Sequence, residues 1–254
     1  MGHVKTIDEV LARMSDLDRT LDPGDGVRWF NKLYLAVTQA VAANRGKMRE
    51  AAPGFLEQLD VAFANFYFDA LDAAAGGAVP KGYAFHAWKP LLDRRARRDI
   101  APIQFALAGA NAHINHDLAL GVQDVCAARG VPVARDTGEY KDYTAVNGLI
   151  KTTEHEVKAW LLTGALLELD RHFGPVDDLI AIWSVTAARD AAWTNAEVLS
   201  HLPDTGFIER HYRDVLDRTT GAYSRALLRP AGVFDGAPLF AAAVDAEALA
   251  AAAA

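Results

Sequence analysis

A single cysteine, Cys126, is found among 254 residues, so neither an intrachain disulfide nor a cysteine-rich zinc cage can hold this chain together. Long apolar runs are missing as well. No stretch reaches the roughly 18 residues needed to span a bilayer, and no membrane segment is expected. The opening MGHVKTIDEVLARM lacks the basic-then-apolar layout of a secretory leader, which makes the cytoplasm the expected location. Basic charge is not in excess: the net charge is -7, and nucleic acid, which needs a basic face, is not an expected partner. No Gly-rich dinucleotide loop, Walker motif or nucleophile elbow occurs, which argues against redox-cofactor and nucleotide-driven chemistry.

Alternating Val/Ile/Thr runs are nearly absent, and apolar residues recur instead at steps of three and four. With 51% hydrophobic and 23% charged residues, the composition is that of a globular chain, and the pattern is all-α. Helices are expected over Ile7 to Leu21, Gly26 to Arg45, Gly54 to Ala75, Phe85 to Arg98, Pro102 to Arg129, Tyr143 to Phe173, Asp177 to Leu202 and Phe207 to Leu228. Asp22-Pro23-Gly24, Gly76-Gly77, Gly130, Gly174-Pro175, Pro203 and Pro230 punctuate them. The expected architecture is one bundle domain of about eight helices over residues 1–230. A loop and Ala-rich tail follow over 231–254. The run Arg94, Arg95, Arg97, Arg98 reads as a solvated helix face more readily than as a phosphate patch.

Pro102 to Arg129 is the most informative segment. On a regular wheel, Ile103, Leu107, Ala110, Ile114, Leu118, Gly121 and Val125 form an apolar stripe. Gln104, Asn111 and Asn115 line one edge; His113 and Asp117, one turn apart, line the other. His116 falls mostly away from the stripe. Similar edges carry Asn31, Tyr34 and Thr38 in the second helix, Asp60 and Tyr67 in the third, and Asn147 and Glu154 in the helix after Tyr143. Arg189 lies within the stripe of Ile182, Thr186 and Trp193, and a buried arginine calls for a carboxylate such as Asp117, Asp60 or Glu154. Polar groups at the margins of several apolar faces are what a polar-lined pocket inside a bundle requires. A satisfied polar network that fixes helix register would use the same pattern.

The segment Pro102 to Leu118, with its core Asn-Ala-His-Ile-Asn-x-Asp, and the flanking FNKLYLAVTQAV, FLEQLDVAFANFYFDAL, KDYTAVNGLI and ARDAAW resemble a bacterial family of unknown function that is widespread in actinobacteria. The resemblance implies a helical fold and carries no activity with it. It also implies that arginine commonly stands where this chain has His116.

Three functions compete. The first is an enzyme of lyase, cyclase, isomerase or hydrolase type without a redox cofactor. There His113 and Asp117 perform acid–base chemistry and Arg189 clamps an anionic group, while Asn111, Asn115, Gln104, Tyr34, Thr38, Asp60, Tyr67, Asn147 and Trp193 are the candidate substrate contacts. The second is a hydrolase dependent on a divalent metal ion, with His113, Asp117 and Glu154 as ligands and His86, His116 and Asp190 as further candidates. The third is a non-enzymatic binder of a hydrophobic ligand or partner, its cavity formed by residues such as Phe63, Phe66, Tyr67, Phe68 and Trp88. The expected partner is a small molecule, and a homodimer is left open.

Overall fold

The computed structural model describes residues 2–45, 49–77, 85–150, 185–202 and 206–230. Among these residues every regular element is a helix. Helix α1, Ile7–Thr20, starts at Thr6, whose side chain accepts a hydrogen bond from the Glu9 backbone N–H. It buries Ile7, Val10 and Met14, spaced to share one face. Helices α2, Gly26–Arg45, and α3, Phe55–Ala74, follow the expected boundaries within one residue.

A central rod comes next: α5, Pro102–Ala112, a π turn over His113–Asp117, and α6, Leu118–Arg129. Pro102 occupies the first turn, where its missing N–H costs nothing. Every residue of α5 is buried, because α2 packs along one side of it and α9, Ile208–Leu227, along another. Helix α3 and helix α8, Val185–His201, cover α6. Gly109 lets α2 approach α5 closely; a Cβ there would be driven into the Phe30 ring. Gly221 does the same for α9, where a Cβ would collide with the His86 backbone.

Two expectations about helix limits need correction. The helix expected over Phe85 to Arg98 shortens to α4, Lys89–Arg94, because Phe85 has φ 54°, a left-handed conformation that cannot begin a helix. The helix expected from Tyr143 starts earlier, as α7, Gly138–Ala145, capped by the Thr137 side chain. A turn at Val146 interrupts it, and helix resumes over 147–150. Glu154, Ile182 and the tail over 231–254 lie outside the described residues. The arginine run is engaged by carboxylates: Arg95 binds Asp25, and Arg97 and Arg98 pair with Asp99 and Asp22. No helix among the described residues is long and apolar enough to cross a membrane.

Candidate functional site

The π turn organises the site. The Leu118 N–H bonds to the His113 carbonyl five residues back, so the turn holds one residue more than an α turn. Each later side chain is therefore rotated by about 100° from its place on a regular wheel. This corrects the outward placement of His116. Its ring is buried, 3% exposed, between the rod and α9.

Asp117, fully buried, is the hub. Its Oδ2 accepts from Trp88 Nε1 at 2.9 Å and faces His113 Nδ1 at 3.1 Å, while Oδ1 faces His116 Nδ1 at 2.8 Å. Burial by itself would raise the Asp117 carboxyl. The hydrogen bonds from His113 and His116 outweigh that and hold it below the ordinary carboxylate range. On its far side His116 Nε2 lies 3.8 Å from Asp217 Oδ1. Asp217, on α9, also accepts the His86 and Ala87 backbone N–H groups at 2.9 and 2.7 Å, anchoring the turn that delivers Trp88. A chain of buried ionisable groups thus runs His113–Asp117–His116–Asp217.

His113 itself is 2% exposed and surrounded by aromatic rings. Phe63 stacks on it with centroids 3.4 Å apart and planes within 9°. Tyr34 meets it edge-on at 4.4 Å and Phe30 at 5.5 Å. Burial depresses the imidazole below its ordinary value, against the opposing pull of Asp117. The ring is consequently neutral at pH 7, with Nδ1–H donated to Asp117. Its Nε2 has no hydrogen-bond partner among the described residues.

That ring walls a cavity of about 80 Å³ whose lining includes Phe30, Tyr34, Phe63, Ile114 and Arg189. A second cavity of about 50 Å³ shares Tyr34, Phe63 and Arg189 and adds Thr38 and Asp60. Burial raises the Tyr34 hydroxyl well above its ordinary value, and the nearby negative charges of Asp60 and Asp117 add to this, so it stays protonated as a donor. Arg189 is held by neutral groups. Its Nε donates to Asn147 Oδ1 at 2.8 Å, its Nη2 to the Tyr143 carbonyl at 2.7 Å, and its guanidinium lies 4.1 Å over the Tyr143 ring. The expected carboxylate partner is not found among the described residues.

His113, Arg189, Tyr34, Thr38 and Asp60 therefore meet around two adjoining cavities. The other sequence candidates are engaged elsewhere. Gln104 accepts from the Ala101 N–H and donates to the Leu227 and Arg229 carbonyls, tying α5 to the end of α9. Asn111 donates to the Thr220 carbonyl and Ser224 Oγ, both at 3.0 Å, and accepts from Asn115. Tyr67 donates to Asn31, and Asn31 to the Met14 carbonyl. Asn147 positions Arg189, and Trp193 packs between Tyr140 and Tyr143.

Of the proposed metal ligands, Glu154 lies outside the described residues. His113 and His116 turn their Nδ1 atoms onto one carboxylate, and Asp190 sits at the surface paired with Arg135. Among the described residues no group of three or more His, Cys, Asp or Glu side chains is placed to hold a metal ion. Burial pushes the Cys126 thiol up to about 11, so it is no thiolate nucleophile. Wheel reading missed Asp217 and the Trp88–Asp117 bond. Their signal was the row Asp217, Thr220, Gly221 and Ser224 at helical spacing on α9, all of them buried.

No curated protein and no solved structure matches the chain. A family model does, over residues 7–230: the chain belongs to a family of unknown function, DUF5995.

Proposed function

We propose that the protein is a redox-neutral enzyme in which His113 moves a proton on a small molecule bound beside it. The observation that carries this reading is His113 Nε2, a buried ring nitrogen with no partner among the described residues, on a ring that walls a cavity. Unpaired buried polar atoms are costly, and a neutral imidazole with Nδ1–H donated to a carboxylate offers Nε2 as a general base. Nε2 takes a proton from an O–H or activated C–H bond of the substrate. Asp117, already ionised, stabilises the imidazolium that results, and His116 and Asp217 hold Asp117 in place. The ring then returns its proton to another substrate atom. Isomerisation, elimination, cyclisation and hydrolysis share this step.

The apolar lining of the same cavity favours one alternative, a binder of small hydrophobic ligands without turnover. One experiment separates the two. Wild-type and His113→Gln proteins are incubated with fractionated small-molecule extract, and consumption is followed by mass spectrometry. Acid–base catalysis predicts that a compound converted by the wild type is converted at least about 100-fold more slowly by the variant, with an unchanged helical CD spectrum. Equal conversion by both proteins, or conversion by neither, contradicts it.

A further inference from the structure

We infer that the cavity beside His113 takes a short-chain hydroxycarboxylate, its carboxylate on Arg189 and its hydroxyl on His113 Nε2. The hydroxyl half of this inference rests on the base role proposed for His113; the carboxylate half rests on Arg189 alone.

Arg189 is 7% exposed, so its side chain is largely withdrawn from water. Its partners are an amide oxygen, a backbone carbonyl and a tyrosine ring, none of them charged. Among the described residues no carboxylate pairs with it, and its hydrogen bonds there come from Nε and Nη2. A buried cation left in this state is strongly unfavourable, and an anion that accepts from it in a charge-assisted bond removes the penalty. Asp60 lines only the second cavity, so an anion in the lobe beside His113 stays clear of that negative wall.

Size and lining narrow the anion further. A dry cavity of about 150 Å³ holds the heavy atoms of a benzene ring; one of about 80 Å³ suits an acid of about two carbons. A phosphate needs donors on several oxygens, whereas here one guanidinium shares the lining with Phe30, Phe63 and Ile114. Those apolar groups fit the carbon chain. His113 Nε2 is an acceptor only, because the ring proton sits on Nδ1 facing Asp117. A hydroxyl satisfies it. A second carboxylate would not.

Calorimetric titration of the full chain with glycolate, acetate and acetamide tests this. Acetate is expected to bind at least about tenfold more tightly than acetamide, the value of one charge-assisted bond. Glycolate should gain about a further fivefold from its hydroxyl. Arg189→Gln should erase the preference for acid over amide; if that variant does not fold, the wild-type comparison still decides. His113→Gln should keep the acid preference and lose the hydroxyl preference. The carboxylate site can thus stand when the catalytic reading fails, and the reverse. Equal affinity for acetate and acetamide, or no binding of any acid at millimolar concentration, overturns the inference.

Discussion

On the flank of the central rod that faces α9, Gln104, Asn111 and His116 meet carbonyls, a hydroxyl and a carboxylate across the interface. On the flank that faces α2 and α3, His113 meets aromatic rings, and its Nε2 meets nothing polar among the described residues. Gln104, Asn111, His116 and His113 are all buried. Completeness of pairing separates them. A buried polar group whose valences are filled fixes the register of two helices, and each such bond contributes about 1 kcal/mol. A buried group with a valence left over is held in a costly state by its surroundings, and that is where ligand chemistry is to be sought.

Asp117 belongs to both flanks, so replacing it should break the comparison most severely. Asp117→Ala leaves the Trp88 indole and both imidazoles without their shared acceptor. It is expected to cost about 3–5 kcal/mol in chemical denaturation, as loss of one partner from a buried charged network does. A cost below about 1 kcal/mol would mean that the network contributes little. Asn111→Ala touches the filled flank alone. It should cost about 1–3 kcal/mol by orphaning Asn115 and Ser224, and leave ligand binding unchanged. A changed affinity would show that the filled flank also shapes the cavity.

The smallest effect is pH dependence. His113 is depressed in the folded protein, so below the ordinary value of 6.5 the unfolded chain gains a proton that the folded ring refuses. Stability contributed by this residue is therefore present above that pH and falls as pH drops, by up to about 1.4 kcal/mol per pH unit until the folded ring titrates. Asp117, also depressed, adds a loss of the same sign at pH values below its ordinary 3.8. Denaturation midpoints between pH 7 and pH 5 should fall for the wild type and flatten for His113→Gln. A wild-type profile that rises toward pH 5 would reverse the sign.

Helix limits were legible because apolar spacing and punctuation are local. Pro102, the break after Ala74, and the faces of α1 and α3 all follow from them. The convergence of Tyr34, Thr38, Asp60, His113 and Arg189 was also readable, since each sits at the margin of an apolar stripe. Whether a polar residue meets a partner was not, because it depends on which helix lies opposite; hence Gln104, Asn111 and Trp193 were grouped with the cavity residues. His116 was misplaced for a different reason. A wheel assumes 3.6 residues per turn, and one wider turn at His113–Asp117 invalidates it for everything downstream.

The account depends on the protonation state of one ring. NMR of the protein with isotope-labelled histidine nitrogens reads that state directly. At pH 7 the His113 signals should be those of a neutral ring with the proton on Nδ1, with Nε2 free to accept and titration beginning only below pH 6.5. A doubly protonated ring at pH 7, or a neutral ring with the proton on Nε2, would contradict the account.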